Sequence, residues 1–443
     1  MSEERKMSRR TALKMLGVGA VGVAALNFTT AGCAGKAAKG GKIKPIAYRK
    51  DRVYNDKVSL LAYGGMRFPR IKNEEGKDVV DRVVAEQLIT KAYESGINYF
   101  DTAYNYLGGE SELVFGEIMK KFPRESFFMA TKMPTWLVTD LEKGKALFQE
   151  QLDKLQMEYL DFYLLHAISS IEEFTKAYLD TGVLEYLKEE KAKGRIKRLG
   201  FSFHGNEKAM DFLLEQYKWD FVMIQLNYLD WEAQNAKYMY EQLEKHNIQV
   251  NVMEPLRGGA LATLNPEAVS ILQEAHPDWT PASWAFRYVA SLPNILTILS
   301  GMTDVKYIEE NVNTLRDFKP LTNDERAVLA KALEAYKKIT PVPCTGCAYC
   351  MPCDFGVDIP TVFATFNELV AADQVPDING PRDAAFEAKK TAFLAKFDKE
   401  LPEAIRPFHC TQCGRCAKQC PQEIAIPEEL KKINNLVRAL LRS

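Results

Sequence analysis

The chain has 443 residues, with 58 Lys and Arg against 59 Asp and Glu, a formal net charge of −1, and 47% hydrophobic residues. That balance argues against a nucleic-acid binder, which carries a basic excess, and the apolar content excludes wholesale disorder. No stretch reaches the ~20 apolar residues of a membrane-spanning helix, and the length suits one large domain plus a smaller one.

Residues 1–14 are polar and basic and include Arg9-Arg10 and Leu13-Lys14; a Gly- and Ala-rich apolar run follows over 15–26, then Thr30-Ala31-Gly32-Cys33. Basic, apolar and small residues in that order describe an export signal. Gly17, Gly19 and Gly22 speak against the alternative, an amphipathic helix. The paired arginines resemble a twin-arginine signal, with Ala12 in place of the usual aromatic residue. Cys33 after Ala-Gly resembles a bacterial lipoprotein processing site and implies a lipid anchor; ordinary cleavage near Ala31 or Gly32 is the alternative. Residues 1–42 are therefore expected to be signal and tether, and the protein to be exported to the periplasm or cell envelope. A cytoplasmic enzyme is the competing location.

From residue 58 short apolar strands alternate with helices. Strands are expected over 58–61, 97–102, 127–132, 160–166, 199–204, 221–228, 250–256 and 296–302. Between them apolar residues recur at three- and four-residue spacing, as in Val83-Val84-Leu88-Ile89-Ala92. Eight such units predict an α/β fold, a (β/α)8 TIM barrel over 43–338. No Gly-x-Gly-x-x-Gly follows an early strand, so a Rossmann fingerprint is absent. Asp101, Lys132 and His166 each stand at the carboxyl end of a strand, and in a barrel those ends converge on the face where active sites are built.

Asp101-Thr102-Ala103-Tyr104-Asn105-Tyr106, Gly109-Glu110-Ser111-Glu112, Ala130-Thr131-Lys132 and Leu164-Leu165-His166 together resemble the aldo/keto reductase family over about residues 45–320. The resemblance implies a catalytic tetrad of Asp101, Tyr106, Lys132 and His166, with Tyr106 protonating a carbonyl oxygen and nicotinamide delivering hydride. Tyr104 competes for the donor role, and only its spacing from Asp101 favours Tyr106. A free phenol titrates near ~10. An ammonium from Lys132 would lower that value, Asp101 would hold the Lys, and His166 would polarise the carbonyl.

The same resemblance implies an NAD(P)H cradle of Ser202, Gln225, Leu256, Gly301, Glu310 and Asn311. The sequence departs from the family there. Phe203 stands for an Asn, Met253 for a stacking aromatic and Glu254 for a small hydroxyl residue. Asp304 and Tyr307 stand where basic residues meet the 2′-phosphate.

Eight of the nine cysteines lie between Cys344 and Cys420. The second run, Cys410, Cys413, Cys416 and Cys420 followed by Pro421, has the bacterial ferredoxin spacing. The first, Cys344, Cys347, Cys350 and Cys353, has a shorter last gap and Asp354 in place of Pro. Structural zinc takes two separated pairs, and tight runs make a poor disulfide framework, so two [4Fe–4S] clusters are expected. In two-cluster ferredoxins the fourth Cys of each run serves the other cluster. Carried over, Cys420 joins Cys344, Cys347 and Cys350, and Cys353 joins Cys410, Cys413 and Cys416. The insert between the runs predicts helices over 359–373 and 384–397, and the tail another over 427–442. Residues 339–443 thus resemble the small, mainly α-helical dicluster ferredoxin-type domains of larger oxidoreductases.

The expected function is an iron–sulfur oxidoreductase that acts on a small carbonyl or alcohol and exchanges electrons with an unidentified redox partner. The alternative is an electron-transfer or partner-binding subunit whose barrel is a non-catalytic scaffold. Replacing both Arg9 and Arg10 with Lys is expected to strand the protein in the cytoplasm on cell fractionation; unchanged export would contradict a twin-arginine signal.

Overall fold

Alternation with period two decides which way each strand faces. In the computed structural model, which describes residues 46–337 and 342–442, eight strands carry that alternation. They are β1 Leu61–Gly64, β2 Tyr99–Asp101, β3 Phe128–Met133, β4 Leu160–Ile168, β5 Ile196–Phe203, β6 Phe221–Gln225, β7 Gln249–Met253 and β8 Ile295–Ser300. Each pairs in parallel with the next and β8 pairs with β1, which closes the barrel. Ala62, Tyr99, Ala130, Phe162, Leu164, Phe221 and Met223 fill the interior as one apolar cluster. Their neighbours Tyr63, Phe100, Met129, Tyr163, Leu165 and Val222 face outward and pack in the layer between strands and helices.

The helices form for local reasons as well as burial. Arg82–Glu94 starts at Asp81, whose carboxylate accepts the backbone N–H groups of Val83 and Val84. It buries Ala85, Leu88, Ile89 and Ala92 at the expected helical spacing.

One strand departs from expectation. Lys57–Ser59 pairs antiparallel with Tyr48–Lys50, and the barrel strand begins only at Leu61. Val58, Leu60 and Leu61 are all buried, so the apolar run continues across the corner and hydropathy does not mark it. The expected export signal and Cys33 anchor lie outside the described residues, as does the expected boundary at 338–339.

The C-terminal residues build a core of their own. Helices Ile359–Ala371, Ala384–Glu400 and Ile426–Arg442 bury Val362, Phe363, Phe393, Phe397, Leu430 and Ile433 together. The cysteine loops of this region reach the carboxyl ends of the barrel strands: Arg67 Nη2 donates to the Thr345 carbonyl, and Gln225 is hydrogen-bonded to Gln422.

Arg198 on β5 shows what holds the opposite end. Its guanidinium, 2% exposed, donates from Nε and Nη2 to the two carboxylate oxygens of Asp51 at 3.1 and 2.9 Å. Asp51 also accepts the backbone N–H groups of Val53, Tyr54 and Asp56, so it ties the entry hairpin to the barrel. Arg198→Ala leaves a buried carboxylate unpaired, and urea denaturation of the anaerobic protein is expected to show a loss of about 3–5 kcal/mol. A loss below about 1 kcal/mol would mean the pair is a surface-like contact.

Candidate active site and cluster-binding loops

At the carboxyl ends of β2 and β3, Lys132 Nζ donates to Asp101 Oδ1 at 2.6 Å and to the Thr102 carbonyl at 2.7 Å. The two side chains are 1% and 2% exposed. Burial raises Asp101 and depresses Lys132, and the attraction between them opposes both shifts. A buried network braces the pair from behind. Gln151 Nε2 donates to the Lys132 carbonyl and to Glu112, which also accepts from Thr131. Ser111 bridges Thr102 and the Gly65 carbonyl. The Gly109-Glu110-Ser111-Glu112 stretch is therefore support for the strand ends.

Tyr106 follows β2, in a turn where Leu107, Gly108 and Gly109 all take positive φ. Its ring lies 4.7 Å from Lys132 Nζ and 5.9 Å from the His166 ring. Tyr104 is turned away, with its hydroxyl donating to Glu150 at 3.2 Å and Lys154 over its ring. Geometry thus separates two tyrosines that spacing alone could not. Burial, then the Asp101 and Glu254 carboxylates, lifts the Tyr106 phenol well above its ordinary value. The opposing contribution comes from Arg67, where Lys132 was expected to supply it. Burial, then Lys132 and His204, holds His166 well below 6.5, so its imidazole is neutral at physiological pH.

His166 Nδ1 is buried without a hydrogen-bond partner, and Nε2 lies 3.0 Å from the Tyr349 hydroxyl. Tyr349 comes from the far end of the chain, between Cys347 and Cys350. A cleft of about 1340 Å³ is lined by Tyr106, Trp136, His204, Cys347, Tyr349 and Cys420 together. Gly258 makes this approach possible: its φ is +66°, and a Cβ there would come within 2.3 Å of the Thr345 carbonyl oxygen.

Of the nucleotide-cradle candidates, Leu256, Gly301, Glu310 and Asn311 line a second cleft of about 590 Å³ beside Asp101 and Tyr106. Glu310 accepts from Thr280, and Asn311 Nδ2 donates to Ser300 Oγ at 3.2 Å. Ser202 Oγ accepts the Ala167 N–H at 2.8 Å, and the Gln225 amide is engaged by Asp230 and Gln422. Phe203 packs with Phe201 in the outer layer.

Cys344, Cys347, Cys350 and Cys420 line one cavity, floored by Ile359, Phe363 and Ile426. Burial and the neighbouring thiols push Cys344 up to about 11 and Cys350 up to about 12. Cys416 has Cys410 and Cys413 as its electrostatic neighbours. The Asp354–Arg415 ion pair joins the end of the first run to that second group, beside Cys353. Among the described residues no three Cys, His, Asp or Glu side chains close on a single ion. Arg67, Thr345, Tyr349 and Gln422 were not legible as site residues, because each acts through a contact with a distant part of the chain.

Residues 60–334 match the aldo/keto reductase family, and residues 343–426 match the 4Fe-4S dicluster domain. The NADH-specific methylglyoxal reductase of Escherichia coli is 26% identical over 280 residues, covering 53% of this chain and 84% of that protein. The L-galactose dehydrogenase of Arabidopsis thaliana is 23% identical over 318 residues, 64% of this chain and 93% of the relative. Among solved structures, the holo form of an aldo-keto reductase from Bacillus halodurans superposes with a TM-score of 0.54 at 23% identity, over 65% of this chain and 96% of that one. An aldo-keto reductase from Klebsiella pneumoniae in complex with NADPH gives 0.52 at 19%, over 66% and 95%. At those identities the structures show the shared barrel fold. The closed barrel and the family match agree: this chain belongs to the aldo/keto reductase family and is an iron–sulfur oxidoreductase with a C-terminal 4Fe-4S dicluster domain.

Proposed function

We propose that the barrel mouth interconverts a small carbonyl and its alcohol, with Tyr106 as proton donor, while two [4Fe–4S] clusters exchange single electrons with a redox partner. One observation carries this reading. Tyr349, set between two cluster ligands, lies 3.0 Å from the His166 imidazole, and the cysteine loops line one cleft with Tyr106.

Reducing a carbonyl to an alcohol takes two electrons, which the clusters would supply singly, and two protons, one delivered to oxygen and one to carbon from water. Tyr106 supplies the proton at oxygen, and its lifted phenol stays protonated until the transfer. The Lys132 ammonium, fixed by Asp101 and the Thr102 carbonyl, faces the ring and stabilises the phenolate left behind. Neutral His166 offers a ring N–H to the developing oxyanion. Cys344, Cys347, Cys350 and Cys420 would hold one cluster, and Cys410, Cys413, Cys416 and Cys353 the other. When bound, the clusters supply one-electron transfer. The N-terminal signal would place this chemistry in the cell envelope, with Cys33 as a lipid anchor.

A second reading has its own observation. Tyr349 holds the His166 nitrogen that a carbonyl oxygen would otherwise meet, as in a scaffold whose site is closed. Activity separates the two. With a reduced viologen as electron donor and a panel of small carbonyls, Tyr106→Phe is expected to slow reduction about 10²–10⁴-fold while iron content stays unchanged. Equal rates would favour the scaffold.

Because His166 is held low and Tyr106 high, both keep their active forms through the neutral range. The rate should be flat from about pH 6 to 8, with loss on the acid side only as His166 takes up a proton. A midpoint within that range would contradict the assignment.

The crossed ligand sets also make a sharp expectation. Cys347→Ala and Cys420→Ala should each remove about four of eight irons, and the double variant should remove no more. Cys413→Ala combined with Cys420→Ala should remove all. Loss of all iron from Cys347→Ala with Cys420→Ala would put those two cysteines on different clusters.

A further inference from the structure

The fold family implies a nicotinamide dinucleotide at the barrel mouth, and the residues present do not fit one. At the nicotinamide end, the Gln225 carboxamide is already saturated. Its Nε2 donates to Asp230 at 2.7 Å and to Gln422 Oε1 at 2.9 Å, and its Oε1 accepts from Gln422 Nε2 at 2.7 Å. Gln234 Nε2 donates to the same Gln422 oxygen at 2.8 Å. Gln225 and Gln422 are 6% and 8% exposed, so water does not compete. A cyclic pair of primary amides is what a nicotinamide carboxamide would make with Gln225, and here the partner arrives within the chain, two residues after Cys420. Phe203, at the other amide-binding position, packs into the outer layer with Phe201 and offers no hydrogen bond.

The cleft beside Tyr106 is no better suited. A dinucleotide brings a doubly anionic pyrophosphate. The cleft beside Tyr106 offers one cation, Arg67, which is committed to the Thr345 carbonyl, against the carboxylates of Glu254 and Glu310. At the helix Val305–Leu315, Asp304 accepts the Lys306 N–H at 2.9 Å and so sets its own carboxylate at the N-terminus that would meet a phosphate. The Thr345–Gly258 contact then presses the cysteine loop against the turn after β7.

We infer that Gln422 is a built-in occupant of the nicotinamide carboxamide subsite, so the C-terminal region and a nicotinamide dinucleotide exclude each other at the barrel mouth. The inference rests on the barrel mouth being the reacting site, and it names the specificity of that site. One strand of the argument is topological. The segment Cys420-Pro421-Gln422 carries a cluster ligand and the occluding amide two positions apart, so seating the cluster loop also seats the plug. Gln422 is a positioning residue in this sense, and its carboxamide touches no reacting atom.

The test is equilibrium binding, independent of turnover. NADH, NADPH and ADP-ribose are titrated into the anaerobic, cluster-loaded protein by calorimetry and by quenching of Trp fluorescence. The wild-type protein is expected to show no saturable NADH or NADPH binding tighter than about 1 mM. Gln422→Ala is expected to gain about tenfold or more for the nicotinamide nucleotides and nothing for ADP-ribose, which lacks the carboxamide. Gln234→Ala, remote in sequence from every cysteine, loosens the same oxygen and should show a smaller gain in the same direction. It keeps the test valid if Gln422→Ala loses iron. Wild-type binding of NADH below about 10 µM would overturn the inference, as would equal gains for ADP-ribose or no gain in either variant. These outcomes leave the viologen-driven carbonyl assay untouched, so failure here is distinguishable from failure of the proposed activity.

Discussion

An ammonium group buried at the mouth of a barrel has to be paired, and much of this structure follows from pairing Lys132. Left alone in a site 1% exposed, the charge would be lost or the strand would not form. Asp101 and the Thr102 carbonyl take two of its three protons, and the register of β2 on β3 sets Asp101 opposite Ala130, so Lys132 lies two residues further along the same inward face. The Glu112, Thr131 and Gln151 network then holds the β3 backbone where that register needs it. Tyr106 and His166 inherit their surroundings from this arrangement. The ring of one faces the ammonium, and the imidazole of the other is kept neutral partly by it.

The barrel and its inward strand-end groups were legible because they depend on short-range pattern. Period-two alternation places Asp101, Lys132, His166, Ser202 and Gln225 on inward positions, and helical spacing with Asp81 as cap marks the intervening elements. The ferredoxin run was legible because its spacing is itself the ligand geometry. The rest depended on distance. Val58 and Leu61 are equally apolar, and only pairing with Tyr48–Lys50 shows that the first belongs to a hairpin and the second to the barrel. Tyr104 and Tyr106 differ by which way a turn of positive φ points them. Tyr349 and Gln422 look like spacer residues within the cysteine loops, and their roles appear only when those loops meet His166 and Gln225, more than 180 positions away. The raised Tyr106 phenol was not foreseeable either, since it follows from burial and from carboxylates, Asp101 and Glu254, that the fold brings beside it.

Seating a cluster-bearing region over a reductase barrel also bears on electron counting. Hydride moves two electrons together, whereas a cubane moves one. A barrel that kept an open nicotinamide site beside cysteine loops would need a carrier between the two currencies. Gln422 in the carboxamide subsite removes that conflict, because the site is then supplied from one side only. The departures at Phe203, Glu254 and Asp304 fall into one pattern on this view, since each weakens a contact that a dinucleotide would require.

The most direct measurement is a nucleotide-free single turnover. Protein chemically reduced under anoxic conditions and freed of reductant would be mixed with a small carbonyl, while the paramagnetic cluster signal and the alcohol are followed together. The account predicts that the clusters reoxidise as alcohol appears, at two electrons per molecule formed. Clusters that stay reduced until NADH or NADPH is added would contradict it.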